Sequence, residues 1–486
     1  MRPVVTIVFA LILASAGASK ARGDALVRPF TLFGWSAPPV EEMNAARVAE
    51  YANAGLDLML PSITDSGRVS DNLDRLEWAA ASGVRCLLWD RRFRDADGAF
   101  SGSLDRLDSI VTTYRNHPAF AGYYLGDEPD DSLFDQLGDL FGRIRALDAE
   151  HPCWNNLLPR SGFATREEWI GHMRRYVERV QPSVLSNAQY DLLLDRDRGQ
   201  LVENVFGTAA LAREYGLPFW GIVQVIGHGG LRSVTAGELS WQVGTWLSYG
   251  ARGIGYFVYW EHPTDSVFFW GPGMISRYGF RTVQYDRVRE LNQVTRPVGE
   301  ALAGLTWRST QYAGSVPAGG TAFVADKIVR AVEGRAAIGR FEDGAGDPYV
   351  FVLNSDSSRA QEIVLRLDPS RRDSSVTLSL GPGAFSLLRL ERTSAPPPSG
   401  LRIDALPNPA RGTVRFRVLA GEPTRLEIMS LSGRVLWRAE RSASGPDPEW
   451  HGETTGGAVA PAGLYFVRVV GRSGVATRRI VWMGPE

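Results

Sequence analysis

At 486 residues the chain exceeds what one ordinary core fills, and about three domains are expected from usual domain sizes of roughly 100–250 residues. Hydrophobic (44%) and charged (22%) fractions are those of a soluble globular protein, and a formal net charge of -1 without a basic block removes the electrostatic case for nucleic acid or an anionic membrane as partner. A small neutral or carbohydrate ligand fits better, and 14 Trp supply flat apolar faces that suit sugar rings.

In chain order, the N-terminus reads as a secretory signal over 1–23. Met1-Arg2 is a positive start, Val4 to Leu13 an apolar run, and Ala14-Ser15-Ala16 or Gly17-Ala18-Ser19 a small-residue cleavage site. The run is too short to span a bilayer, and no later segment approaches about 18 consecutive apolar residues, so a secreted or cell-surface protein without a transmembrane segment is expected.

Residues 24–303 alternate short apolar strands with longer helical stretches. The strands read as 30–36, 56–62, 84–90, 120–126, 152–158, 182–189, 218–225 and 253–260, most of them preceded by a Gly or Pro such as Gly55, Gly83, Pro118, Pro152 and Pro218. Between them, Leu133, Leu137, Leu140, Phe141 and Ile144 recur at helical spacing. Eight such units predict a (β/α)8 TIM barrel, whose typical length is about 250 residues. A doubly wound sheet would carry a Gly-rich turn after its first strand, where this chain has Trp35-Ser36-Ala37-Pro38.

From 304 to 392 the helical period gives way to alternating runs, TAFVAD, KIVRAVEG, AAIGRFE, DPYVFVLNSD, EIVLRLD, VTLSLG and FSLLRLE, which predict an accessory β-sandwich. A Pro/Ser linker occupies 393–400, and a last all-β unit runs over 401–486. Cys86 and Cys153 fall on the third and fifth predicted strands with one strand between them, beyond disulfide reach, so two buried free thiols are expected.

Absences narrow the chemistry. Only Lys20 and Lys327 are present, neither in the barrel, so Schiff-base chemistry lacks its nucleophile. The barrel histidines His117, His151, His172, His228 and His262 form no H-x-H or H-E-x-x-H pair, so no metal is expected, and nothing calls for a cofactor. What remains is carboxylates and aromatics at strand ends, the rim where barrel chemistry sits. Trp35, Trp154, Tyr190 and Trp260 lie there with Asp90, Asp127, Glu128, Asn155, Asn156, Gln224 and Glu261. Cleaving a glycosidic bond asks for this kit: an acid for the leaving oxygen, a second carboxylate, and rings to hold the sugar.

Asp127-Glu128-Pro129 at the fourth strand, with the Tyr256-Phe257-Val258-Tyr259-Trp260 run of the eighth, resembles the clan A glycoside hydrolases, the β-galactosidase-like and cellulase-like barrels. The resemblance implies Glu128 as general acid/base and Asp127 as a contact to the sugar. It also implies a nucleophilic glutamate at the end of the seventh strand, where this chain has Val223-Gln224-Val225. Either Glu261 on strand 8 takes the second role, across a gap suited to an inverting arrangement, or the second carboxylate is missing and the barrel binds or displays carbohydrate without cleaving it. Trp35, Asp90, Asp127, Asn155, Asn156, Tyr190, Gln224 and Trp260 are the expected substrate-binding set.

The last unit resembles the Ig-like C-terminal sorting domain of type IX secretion cargo and the Ig-like domain of flagellar hook-capping proteins. The matching residues are Pro407-Asn408-Pro409, Val414-Arg415-Phe416, Ile428 through Gly433-Arg434-Val435, Trp450-His451-Gly452 and Ala462-Gly463-Leu464-Tyr465. The resemblance implies export and a partner in secretion machinery or at the cell surface. The tail, Met483-Gly484-Pro485-Glu486, lacks the usual closing Lys/Arg.

Overall fold

A computed structural model describes residues 29–485, apart from 63, 96–98, 101–102, 264–269, 369–373, 391–400, 420–421, 431–432 and 473. The expected signal (1–23) and linker (393–400) lie outside the described residues. The chain forms two compact units, divided between Leu390 and Glu391.

The first unit opens with eight parallel strands, β1 (Thr31–Gly34), β2 (Leu58–Met59), β3 (Arg85–Leu88), β4 (Phe120–Asp127), β5 (Cys153–Asn156), β6 (Leu185–Ala188), β7 (Phe219–Gln224) and β8 (Gly253–Phe257). They pair in the order β5-β4-β3-β2-β1-β8-β7-β6. Leu157 N donates to Ser186 O at 3.0 Å, and Leu157 bridges Asn187 in parallel, which closes β5 on β6. The expected barrel is therefore what the chain forms. Its helices are α1 (Ala45–Asn53), α2 (Val69–Ser82), α3 (Leu104–Tyr114), α4 (Phe134–Leu147), α5 (Arg166–Val180), α6 (Leu201–Glu214), α7 (Ala236–Ser248) and α8 (Val283–Ala303).

Local sequence explains the alternation. In α4 the buried positions are Phe134, Leu137, Leu140, Phe141 and Ile144, the predicted stripe. Capping boxes start α5 (Thr165 with Glu168) and α7 (Thr235 with Glu238), each supplying partners for amides that a first helical turn leaves unpaired. Strand β7 is buried along its whole length, as parallel strands covered on both faces must be. Inside the barrel Phe33, Leu58, Leu87, Ala121, Trp154, Trp220 and Ile222 pack as one cluster, a filled core rather than a channel. Cys86 and Cys153 are buried free thiols on β3 and β5, either side of β4.

The sandwich that follows has two sheets, β15-β12-β11-β9 and β10-β13-β14, built from β9 (Thr306–Ala313), β10 (Val329–Glu333), β11 (Ala336–Glu342), β12 (Pro348–Asn354), β13 (Gln361–Leu367), β14 (Ser375–Leu380) and β15 (Phe385–Arg389). Its first strand differs from the sequence reading. TAFVAD contributes only a bridge from Ala322 to Tyr312, and the strand itself is Thr306–Ala313. TWRSTQYA carries too many polar residues to announce a strand, but pairing with β11 decides it. The sandwich shares the barrel's outer core: Phe351, Leu353 and Phe385 belong to the same cluster as Val243 and Leu247 of α7. Thr310 Oγ1 donates to Ser248 O at 2.6 Å, and Ser240 Oγ donates to Gly383 O at 2.8 Å.

The second unit is a β-sandwich with its own core. Its sheets are β16-β17-β20 and β19-β18-β21-β22, from β16 (Arg402–Leu406), β17 (Val414–Leu419), β18 (Thr424–Met429), β19 (Val435–Arg441), β20 (Glu449–Trp450), β21 (Gly463–Gly471) and β22 (Gly474–Trp482). The residues that carried the sequence resemblance fasten it. Asn408 clasps β22 through Arg479 O (2.7 Å) and Val481 N (2.8 Å), and the Trp450 and Trp482 rings meet at 4.8 Å.

One backbone contact sets the course of β4 toward the rim. Gly122 has φ +148, and a Cβ there would stand 2.2 Å from Pro152 O. Gly122→Ala is expected to destabilise the first unit by at least about 2 kcal/mol, from the strained φ and the displaced β5 backbone together. Chemical denaturation checks this, and an unchanged midpoint would contradict the close approach of β4 to β5.

Candidate active site

β4 delivers two carboxylates to the barrel mouth because its end is irregular. Register shifts between Tyr124 and Asp127, Gly126 takes φ +122, and Glu128 follows at φ +46, a left-handed conformation costly for a residue with a Cβ. Alternation along a regular strand would send neighbouring side chains to opposite faces, and a bulge is the usual device for re-aiming one. The segment beyond is anchored: Asp130 accepts from Ser132 N at 2.8 Å, and Asp131 accepts from His172 Nδ1 of α5 at 2.5 Å and pairs with Arg175.

A chain of hydrogen bonds fixes Asp127. Ser186 Oγ of β6 bonds Asn156 Oδ1 at 3.0 Å, and Asn156 Nδ2 of β5 donates to Asp127 Oδ1 at 3.3 Å. Glu128 N donates to Asn156 O at 2.8 Å, so one asparagine holds both residues. Among the described residues none hydrogen-bonds the Glu128 carboxylate.

Both residues are exposed to solvent at the end of β4, while protein atoms crowd their carboxyl groups closely enough to shape their electrostatics. Desolvation first, then repulsion from Glu128, pushes Asp127 up to about 7, against the opposing hydrogen bonds from Asn156 and the Glu128 amide. Desolvation also raises Glu128 above the ordinary glutamate range. The two acids therefore hold protons at higher pH than isolated carboxyls would.

Aromatic rings pack near the pair. Tyr124 packs on Trp154 at 5.7 Å and on Trp35 at 6.2 Å, and Trp35 meets Trp154 at 5.9 Å. Burial, and then the charges of Asp127 and Glu128, raise both Tyr124 and Tyr190 well above the usual phenol range, which places both near the acid pair. Tyr190 stacks on Phe257 at 5.1 Å, and Phe257 contacts His262 (6.1 Å) and Trp270 (6.1 Å). His228 lies flat on Trp270 at 3.8 Å. Burial pushes His262 down to about 4, so this wall is uncharged near neutral pH.

Of the residues singled out in the sequence, the fold brings Asp127, Glu128, Asn156, Tyr190 and Trp35 together. Others serve the scaffold. The Asp90 carboxylate takes Arg92 Nη2 at 2.6 Å and Tyr114 Oη at 2.6 Å. Asn155 donates to Gly126 O and accepts from Tyr176 Oη. Gln224 ties two loops, accepting from Leu192 N at 3.2 Å while donating to Leu192 O (3.1 Å) and Arg232 O (2.7 Å). Trp260 is buried with the Arg47 guanidinium over its ring at 5.2 Å. Glu261 is raised by desolvation but held against Arg277 Nη2 at 2.8 Å. Sequence reading passed over Tyr124, Ser186, Phe257 and Trp270. Tyr124 had a signal, its place three residues before Asp127, whereas Ser186 could be found only from strand order.

Among the described residues no group of three or more His, Cys, Asp or Glu is gathered for a metal, and no helix is long and apolar enough to cross a membrane.

No family model matches the chain, and no curated protein matches it. Solved structures do. A β-galactosidase from Halorubrum lacusprofundi aligns at 14% identity and TM-score 0.43, over 55% of this chain and 58% of that one, so the chain spans less than two thirds of that enzyme. A glucosidase from Croceicoccus marinus aligns at 13% identity and TM-score 0.39, over 94% of this chain and 96% of that one. A GH99 endo-α-mannosidase from Bacteroides thetaiotaomicron aligns at 12% identity and TM-score 0.38, over 57% of this chain and 99% of that one. These structural neighbours are glycoside hydrolases. The functional reading of this chain rests on the residues at the end of β4.

The electrostatics carry a stability consequence. Between about pH 4 and pH 7 the folded state holds a proton on Asp127 that the unfolded chain has released, so this group's contribution to stability falls as pH rises across that window. Asp127→Asn is expected to raise Tm above about pH 8 and to leave it unchanged below about pH 4. Thermal scans at both pH values check this, and a pH-independent difference would contradict it.

Proposed function

We propose that the chain is an exported glycoside hydrolase acting on poly- or oligosaccharide, with Glu128 as general acid and then general base. The observation that carries the reading is the Asp127–Glu128 pair at the end of β4, where Asn156 bonds the Asp127 carboxylate and the Glu128 amide and desolvation raises the proton affinity of both acids. Protonating a sugar oxygen needs an acid still protonated near working pH, and a desolvated carboxyl beside a second one supplies it. Trp35, Tyr124 and Tyr190 offer faces on which a sugar ring can pack. The signal-like N-terminus supports export. The C-terminal sandwich, whose Asn408, Trp450 and Tyr465 positions carry the sorting-domain resemblance, is proposed to attach the protein to secretion machinery or the cell surface.

A second reading also has an observation behind it. Glu261 is paired with Arg277, and the end of β7 carries the amide of Gln224, bonded to loop backbone, in place of a carboxylate. A barrel so arranged could bind carbohydrate without cleaving it.

Glu128→Gln separates the two. It is expected to lower kcat on aryl glycosides with poor leaving groups by roughly 10²–10⁴-fold while sparing sugar binding and affecting activated leaving groups far less. The wild-type rate on poor leaving groups should fall as pH rises through the Glu128 pKa, because the acid must carry its proton. An undiminished Glu128→Gln rate would end the assignment, and binding without turnover by the wild type across a broad glycan panel would favour the second reading.

A further inference from the structure

Most carboxylates around the mouth already have partners. Glu261 is held by Arg277 at 2.8 Å and Asp90 by Arg92 and Tyr114. Asp191 accepts from Gln189 Nε2 (2.8 Å), Gln200 N (2.7 Å) and Leu201 N (2.9 Å). Glu50 pairs with Arg47 and Arg281. Among the described residues this leaves Asp127 and Glu128, and they are neighbours on one strand end. A two-step displacement by enzyme carboxylates needs one group on each side of the scissile bond, about 5–5.5 Å apart, and an inverting site needs them about 6.5–9.5 Å apart with a water between. Two neighbouring residues, one bonded to Asn156 through its carboxylate and the other through its backbone amide, are not placed to flank a scissile bond in that way.

Resting on the hydrolase reading above, we propose that the substrate supplies the nucleophile itself: the sugar bound at the end of β4 carries a 2-acetamido group whose carbonyl oxygen attacks C1, with Asp127 holding the amide N–H and Glu128 acting as acid and then base. Substrate-assisted cleavage is a recognised exception to the two-carboxylate scheme. In the first step the C1–O bond to the leaving group breaks as the carbonyl oxygen bonds to C1. The Glu128 proton goes to the leaving oxygen, and Asp127 accepts the amide proton, giving a neutral oxazoline. In the second step water adds at C1 and passes one proton to Glu128. The C1–O bond of the ring opens, and Asp127 returns its proton to nitrogen, so the acetamido sugar leaves with retained configuration and both carboxyls are restored.

The surroundings of the pair fit those demands. Asn156 occupies Asp127 Oδ1, which orients the carboxylate, and its raised basicity suits a group that must take and return an amide proton. The Tyr190 hydroxyl makes no hydrogen bond among the described residues and lies in the field of the same pair, where it can donate to the amide oxygen. The Trp35, Tyr124 and Trp154 rings form an apolar surface for the acetamido methyl. In-line attack requires the acetamido group trans to the leaving group, so the substrates are β-linked gluco- or galacto-configured amino sugars.

The test uses the full chain with nitrophenyl β-glycosides of N-acetylglucosamine and N-acetylgalactosamine, beside the matching glucosides and galactosides with a 2-hydroxyl. The acetamido substrates are expected to react at least about 100-fold faster in kcat/KM, since intramolecular attack supplies the nucleophile on this proposal. The rate should fall stepwise from acetamido to mono-, di- and trifluoroacetamido as the carbonyl loses nucleophilicity. Asp127→Asn, shown folded by circular dichroism, should lose roughly 10²–10³-fold on the acetamido substrates. Equal or faster turnover of the 2-hydroxy glycosides, or a flat response to fluorination, would overturn the inference while leaving a Glu128-dependent hydrolase standing. Turnover of neither set would overturn both.

Discussion

The mouth of this barrel depends on one cross-strand clasp. Asn156 on β5 accepts from Ser186 on β6 and donates to Asp127 on β4, while its own carbonyl takes the amide of Glu128. Three neighbouring strands thus hold the Asp127 carboxylate and the backbone from which the Glu128 side chain departs. Chemistry at a strand end needs groups preset to a fraction of an ångström, and hydrogen bonds from rigid strands provide that better than a loop does. The strained φ of Glu128 and the irregular step at Gly126 belong to the same device, since they re-aim adjacent side chains at the end of β4.

Electrostatics and packing act together there. The rings of Trp35, Tyr124 and Trp154 pack beside the pair, and desolvation raises both Asp127 and Glu128 above the ordinary carboxyl range. The Asn156 hydrogen bond works against that trend at Asp127. Two neighbouring carboxyls with raised proton affinity are the result. The first sandwich stiffens the scaffold from outside, sharing a core with α7 behind β7.

Much of this was legible in the residues. An apolar run stopped by Pro129 marked β4 and its carboxylates, and the alternation of strands with amphipathic helices marked the barrel. What the sequence could not display was partnership. The pairing of Asp90 with Arg92, two residues on, was open to a sequence reading, but Gln224 and Glu261 have the residue types and strand-end positions of site groups and are claimed by the backbone of Leu192 and by Arg277, partners set by tertiary structure. Asn155 and Asn156 read alike in sequence, yet one braces Gly126 and the other holds the acid pair. β9 was hidden because Arg308, Ser309, Thr310 and Gln311 mask its pairing with β11.

On the proposal above, the chemistry of the mouth is centred on the end of β4. A crystal structure of the Glu128→Gln protein with a bound β-linked 2-acetamido glycoside tests it most directly. The glycosidic oxygen should lie within hydrogen-bond reach of residue 128, about 2.6–3.2 Å, with the amide N–H on Asp127 and the carbonyl oxygen aimed at C1. A sugar bound against Glu261 and Arg277, or away from β4 altogether, would contradict it.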